Sequence, residues 1–374
     1  MGCTGRRRAV AAAAAESAES AAARAMAPSK AAHVLEFASL DELSPARLAQ
    51  IGDAFGEHGL GFLVVRGAPG YVAARRRLLP LIREFAQLPE QVKERYVRED
   101  LRYQFGWSHG KEVLENGNLD VAKGSFYANP GLVQAAEGSA DAEDANLTAR
   151  NNVWPSREVP ALQAAFEDVS RVMVATAAKV ARLCDAYLVR ERGTAPGTAL
   201  ETVVRDSSAA KGRLLFYFPQ AAPQPAKDSA KWCGWHCDHG SLTCLTKAMY
   251  FAPDGREVTD QVGDDLAIEV SDGSIVNVRI PEDCIAFQIG QAAQIHSAGM
   301  LRATPHCVSY PALAGVARAT YALFLQPNPS CVLSVPRPTS KDLLPSQFEP
   351  GMTFARFAQA TVDRTYAHPQ RARI

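Results

Sequence analysis

From about residue 200 onward the chain runs in short apolar segments broken by turn residues: Leu214 to Phe218, Leu242 to Leu245, Leu266 to Val270, Ile275 to Ile280, Cys284 to Ile289, His306 to Tyr310 and Tyr321 to Leu325. Strand-length apolar runs at this spacing argue for an antiparallel sandwich or barrel. The earlier half reads differently. His33-Val34-Leu35-Glu36-Phe37 is a strand-like opening to the folded part, and Ser44-Pro45 then supplies an N-cap and a first-turn proline. Leu48, Ile51 and Phe55 recur at helical spacing, with Gly59 as the expected stop. Gly61 to Val65 reads as a buried strand and Val72 to Leu88 as a helix closed by Pro89. The Gly59-x-Gly61 pair follows a helix and precedes a strand, the reverse of a dinucleotide fingerprint, and that reading is discarded. Residues 131 to 152 carry no hydrophobic period and read as a surface loop. Between Pro160 and Val189, Leu162, Phe166, Val169, Met173, Ala177, Val180 and Cys184 form one stripe of a long amphipathic helix whose apolar face must cover something large. The expected fold class is α+β, helices first and then a β-barrel.

Composition narrows the function. Lys+Arg and Asp+Glu are 40 each, so formal net charge is zero and no global field draws the chain to nucleic acid or anionic lipid. The basic runs Arg6-Arg7-Arg8 and Arg75-Arg76-Arg77 are expected to be a solvated tail and an exposed helix face. No apolar run has the length to span a bilayer. Eight cysteines in 374 residues are too sparse for a disulfide framework, and reduced thiols in a cytoplasm or organelle are expected. Residues 1–32 are Ala-rich, Arg-bearing and poor in acids, which suits a disordered tail or a plastid or mitochondrial targeting segment. Met1-Gly2-Cys3 is followed by Arg6 where an acylated terminus wants Ser or Thr, which argues against lipidation.

The chemistry-bearing residues lie in the β-rich half. In a strand, residues i and i+2 share a face, so His236 and Asp238 can reach one point. Completed by a distant histidine, such a pair makes a two-histidine, one-carboxylate facial triad, whose open positions suit an Fe(II) oxygenase. Alone a His-x-Asp pair is a weak signal and is usually two surface polar residues. Downstream, His306 follows Pro305 on a strand-like run, and Arg318-Ala319-Thr320 opens another strand. A guanidinium fork and a hydroxyl on one face suit the clamping of a carboxylate. Cys233 and Cys237 are without a second Cys pair or a suitably spaced histidine, so no zinc site is expected there.

On these residues the chain resembles the isopenicillin N synthase-like family of 2-oxoglutarate- and Fe(II)-dependent oxygenases. His236-Cys237-Asp238 matches its His-x-Asp, Ser297-Ala298-Gly299 through Pro305-His306 its Ser-x-Gly run and distal histidine, and Arg318-Ala319-Thr320 its Arg-x-Ser. Phe55 to Gly67, Leu88-Pro89 through Lys93, and Asn152-Val153-Trp154-Pro155 extend the likeness, which covers about residues 33 to 330. Phe105 to Lys111 with Lys123 to Pro130 resembles a branch of the family in plants and algae, making Trp107, His109, Lys111 and Tyr127 candidate pocket residues, with ordinary packing as the other reading.

The resemblance implies a double-stranded β-helix (jelly-roll) core at 200–330, an N-terminal family region at 33–130, a loop and long supporting helix at 131–199, and a C-terminal extension at 331–374. It implies Fe(II) on His236, Asp238 and His306, with Arg318 and Thr320 binding the far carboxylate of the co-substrate 2-oxoglutarate and ascorbate in support. Molecular oxygen and a small organic molecule would be the other reactants. Hydroxylation with release of succinate and CO2 is the expected outcome, desaturation or ring closure the variants; an inactive binding module and a zinc hydrolase are the rivals. His296 is also a candidate third ligand by type, but the family spacing, 306 − 297 = 9, favours His306.

The chain departs from the family in places. Arg66-Gly67 stands where the family often has His-Gly, and Gly290-Gln291 where it often has Gly-Asp. Phe218-Pro219 replaces a Tyr-Pro whose hydroxyl helps hold 2-oxoglutarate, and Tyr217, one position along a strand, is expected to face the other way. The two ligand histidines are 306 − 236 = 70 positions apart, which calls for an enlarged hairpin between Tyr250 and Ile280.

Overall fold

The computed structural model describes residues 32–112, 119–132, 149–220, 231–259, 266–309 and 314–365. Residues 1–31 of the targeting reading, most of the 131–152 loop, the Arg6-Arg7-Arg8 run and Tyr310 lie outside the described residues. In chain order the strands are β1 (His33–Glu36), β2 (Phe62–Arg66), β3 (Gly106–His109), β4 (Lys123–Ala128), β5 (Lys211–Tyr217), β6 (Lys231–His236), β7 (Leu242–Thr246), β8 (Met249–Phe251), β9 (Glu257–Val258), β10 (Leu266–Glu269), β11 (Ile275–Val278), β12 (Cys284–Ile289), β13 (His306–Ser309) and β14 (Ala317–Leu325).

These strands make two sheets. The larger runs β1-β2-β12-β7-β14-β5-β4-β3, with β8 and β9 attached beside β14, and the smaller runs β11-β10-β13-β6. Only β1 and β2 pair in parallel among the described strands. Alternation along the large sheet sends its side chains into two cores. Leu63, Val65, Leu214, Phe216, Phe287 and Tyr321 point to one face and join the helices there. Phe62, Val64, Leu215, Tyr217 and Ala286 point to the other and join Ile268, Val278 and Val308 of the smaller sheet. The smaller sheet thus covers an interior against the large one, and the helices cover the large sheet's back.

The long helix, Leu162–Arg190, buries its expected stripe completely: Leu162, Phe166, Val169, Met173, Ala177, Val180 and Cys184 are all 0% exposed. Fully burying each large apolar side chain is worth about 1.5–3 kcal/mol, so this face fixes the helix on the sheet. Gly212 on β5 permits the close approach. A Cβ there would lie 2.2 Å from Tyr321 Oη and 2.3 Å from Phe166 Cζ, where Tyr321 Oη also meets Ser170 Oγ at 2.7 Å.

Three expectations are corrected. The first helix, Pro45–Phe55, is capped by Ser44 as expected, but it ends before Gly59. Its chain turns early because the Gly61 N–H bonds back to the Ala54 carbonyl to enter β2. Within Arg75-Arg76-Arg77 the first arginine is 1% exposed: Arg75 reaches under the helix Tyr71–Ala86 to the Lys247 carbonyl (3.3 Å) and Glu282 (3.2 Å). The extra residues between His236 and His306 are shared between β8–β9, which extends the large sheet, and the β10–β11 pair of the smaller one. Among the described residues no helix is long and apolar enough to cross a membrane.

Candidate active site

His236 ends β6 and His306 opens β13, and the two strands pair with these histidines opposite each other. Their ring centroids are 4.3 Å apart. Asp238 lies beyond the end of β6, so strand alternation is not what brings it to the same point. Its loop is stitched down by backbone bonds instead: Gln291 N–H to the Asp238 carbonyl (2.8 Å), Ala292 N–H to Gly240 (3.0 Å) and Gly290 N–H to Ser241 (3.0 Å). A Cβ at Gly290 would sit 2.2 Å from the Gly240 carbonyl oxygen, so glycine is what lets the two turns close. Thr243 Oγ1 then donates to Asp238 Oδ2 at 2.6 Å. One ligand-type atom from each of His236, Asp238 and His306 lies within 4.8 Å of the others, the only such group among the described residues.

Both imidazoles are oriented for a metal. His236 Nδ1 faces the Gly234 carbonyl at 2.8 Å and His306 Nδ1 the Thr304 carbonyl at 3.2 Å. A carbonyl only accepts, so Nδ1 carries the proton in the neutral ring and the Nε2 lone pairs face Asp238, at 3.7 and 4.0 Å. Electrostatics separates the two rings. Burial acts to lower His236, but the negative charge of the Cys233 thiolate 3.8 Å from its Nδ1, with Asp238, outweighs it and raises the imidazole to about 9. Burial and the His236 charge bring His306 down to about 4 against the pull of Asp238. Asp238 is held below the usual carboxylate range, because the two imidazoles and the Thr243 hydroxyl overcome its burial. With the His236 proton displaced by the metal, two imidazoles and an ionised carboxylate are a donor set that suits Fe(II) or Zn(II).

Arg318 and Thr320 share the inner face of β14 and are 4% and 6% exposed. The Arg318 guanidinium lies 4.9 Å over the Tyr217 ring, and Arg318 is opposite Tyr217 on β5 and Tyr250 on β8. The expectation that Tyr217 faces away is therefore overturned. Tyr217 belongs to the interior, while Phe216 packs on the helix side, so the register is one residue off from the one assumed. His296 is elsewhere. It ends the helix Gln291–His296, its Nδ1 meets the Ser334 carbonyl at 3.2 Å, and it lines a small cavity with Asp185 and Ser241.

Comparison with known proteins agrees with the fold. Residues 33–157 match the family model described as "non-haem dioxygenase in morphine synthesis N-terminal". No curated protein matches the chain. Among solved structures, a putative 2OG-Fe(II) oxygenase family protein from Caulobacter crescentus is 20% identical with a TM-score of 0.62, covering 89% of this chain and 99% of that one. A full-length Neurospora crassa protein in complex with alpha-KG is 17% identical (TM-score 0.62; 87% and 94% covered). JOX2 in complex with 2OG, Fe and JA is 19% identical (TM-score 0.60; 89% and 85% covered). The chain has the 2OG-Fe(II) oxygenase fold.

Within that oxygenase fold, the inner faces of β4 and β5 carry charge that the sequence analysis passed over. Lys123 Nζ pairs with Glu112 at 3.0 Å and with Asp120, and Arg213 Nη2 pairs with the other Glu112 oxygen at 2.5 Å. The signal was available as alternation: Lys211, Arg213, Leu215 and Tyr217 recur every second residue. Of the candidate pocket residues, Tyr127 joins this network, its hydroxyl 3.4 Å from Glu112. Trp107 instead packs in the helix-side core against Phe85, His109 stacks on Phe218 and meets the Val121 carbonyl, and Lys111 lies over Tyr103.

Glu112 supplies a pH prediction. Burial alone would raise it, but the Arg213 and Lys123 charges bring its carboxyl down from 4.5 to about 2. A carboxylate depressed in the folded state contributes stability that is present above the unfolded value and is lost as pH falls toward the folded one. The shift corresponds to about 3 kcal/mol. Glu112→Gln is expected to lower the urea midpoint at neutral pH, with the gap to the natural chain closing between about pH 5 and pH 2. A gap that stays constant across that range would show that the ion pairs contribute nothing.

Proposed function

We propose that this chain is an Fe(II)- and 2-oxoglutarate-dependent oxygenase that hydroxylates a small organic substrate with release of succinate and CO2. The reading is carried by one observation: a cluster of two histidines and an aspartate and a buried arginine lie in the same interior between two sheets. We take those sheets, over residues 200–330, as a double-stranded β-helix, with 33–130 and the long helix as its supports.

His236, Asp238 and His306 would hold the iron, and Arg318 with Thr320 the far carboxylate of 2-oxoglutarate. Fe(II) with 2-oxoglutarate supplies oxidative decarboxylation of the co-substrate by O2 coupled to oxidation of a neighbouring C–H bond. The protein's own part is positional. Carbonyls of Gly234 and Thr304 fix the imidazole tautomers, Thr243 fixes the carboxylate, and Tyr217 supports the Arg318 fork from below. Val64, Leu215, Ile268 and Val308 make the interior beside the site apolar, while the His236 side chain is 41% exposed. A zinc hydrolase could use the same donor set, but it leaves the buried Arg318 and Thr320 without a task. The described cysteines are free, which fits a reducing compartment: the cytoplasm, or an organelle reached through residues 1–32.

Anaerobic addition of Fe(II) and 2-oxoglutarate to the apo-protein is expected to give a weak visible charge-transfer band, absent with either alone. A full complement of bound metal with no such band at excess 2-oxoglutarate would overturn the reading.

A further inference from the structure

Lys211 opens β5 on the inner face, and its place follows from register. It is opposite Phe324 on β14, and Phe324 is opposite Thr243 on β7, the residue whose hydroxyl holds Asp238. Two strand spacings separate Lys211 from Thr243, about 10 Å between Cα atoms. Arg318 is opposite Tyr217, six residues further along β5, or roughly 20 Å away. The two residues therefore sit at opposite ends of one face.

The charges around Lys211 do not balance it. Glu112 and Asp120 are taken by Lys123 and Arg213. Lys211 Nζ donates to Gln104 Oε1 at 2.5 Å and lies 5.7 Å over the Phe105 ring and 5.9 Å over the Tyr127 ring, and no described carboxylate is within ion-pair distance of it. Burial and the nearby Arg213 charge bring its amine down to about 7, so the site disfavours the ammonium as it stands. A lysine serving only to cover apolar surface sends its head group out to water. Here the residue is partly exposed and its head group lies over two rings, where an incoming anion would stabilise it.

We propose that Lys211 pairs with a carboxylate of the substrate, so that the substrates are small organic acids with an apolar body, anchored by their acid group and oxidised at a carbon that extends toward His236, Asp238 and His306. This rests on the oxygenase reading for the oxidation, and on Lys211 alone for the acid.

The test is calorimetric titration of the full chain under argon, with and without Fe(II) and saturating 2-oxoglutarate, using phenylacetate, hexanoate and the primary amide of each. With both present, each acid is expected to bind at least about tenfold tighter than its amide. Lys211→Met abolishes that preference and Lys211→Arg keeps it, with affinity for 2-oxoglutarate the same in all; Lys211→Gln replaces the Met variant if that does not fold. The proposal is overturned by equal binding of acids and amides, by no binding of either acid, by a preference that survives Lys211→Met, or by a loss in that variant that falls on 2-oxoglutarate instead. A natural chain that prefers the acids through Lys211 yet binds neither iron nor 2-oxoglutarate would remove the oxygenase reading and leave the acid site standing.

Discussion

His306→Ala is expected to purify without iron and to release no succinate, whereas His296→Ala keeps its iron. The two histidines are ten positions apart, 306 − 296 = 10, and chemically identical, but their surroundings differ. His306 Nε2 faces Asp238 across 4.0 Å with its Nδ1 on a carbonyl, so its lone pair is free for a metal. His296 faces the Ser334 carbonyl and a cavity shared with Asp185. Removing one of three ligands leaves too few donors to retain Fe(II). A change outside the ligand set typically costs roughly 10–100-fold in affinity or activity. Metal content by mass spectrometry, with the thermal midpoint as a folding control, reads the difference directly. The reverse pattern would force the whole C-terminal half to be re-aligned, Arg318 included.

Arg318→Met is expected to weaken 2-oxoglutarate binding by about 2–5 kcal/mol, roughly 30-fold or more, with iron retention unchanged. The guanidinium is 4% exposed, so a carboxylate facing it would be left with an uncompensated charge in a desolvated site. Methionine keeps an unbranched apolar chain of similar reach in place of the guanidinium that lies over the Tyr217 ring. Arg318→Lys should fall between the two, because an ammonium keeps the charge but cannot present a planar fork. Titrating 2-oxoglutarate into the anaerobic iron complex and following the visible band gives the affinities. Equal midpoints for the natural chain and Arg318→Met would place the clamp elsewhere.

Much of the architecture is legible before any coordinates. The stripe from Leu162 to Cys184 has a helical period and is fully buried on one helix; the run Cys284–Ile289 is β12 to the residue. Ser44 and Pro45 announce the first helix because capping chemistry is local. Where the signal depends on distant partners, it fails. Arg75 looks like its neighbours Arg76 and Arg77 in a basic run, yet the helix turn buries it against the Lys247 carbonyl and leaves the others at the surface, paired with Glu282 and Asp168. Gly59 resembles a helix stop, yet the entry into β2 ends the helix sooner.

The candidate site divides in the same way. The sequence by itself determined the donor types and their order along the chain, and the period of two that puts Arg318 with Thr320, and Lys211 with Arg213 and Tyr217, on common faces. A period of two says which residues share a face but not which face meets the second sheet, and a shift of one residue exchanges the two. Only the tertiary structure decided that Tyr217, not Phe218, lies under Arg318, and that Asp238 comes to the histidines through a loop pinned by Gly290 to Ala292. Only it set Lys211 in the row of Thr243, facing the interior without a carboxylate at hand. Each depends on backbone pairings between segments tens of residues apart, which local periodicity does not encode.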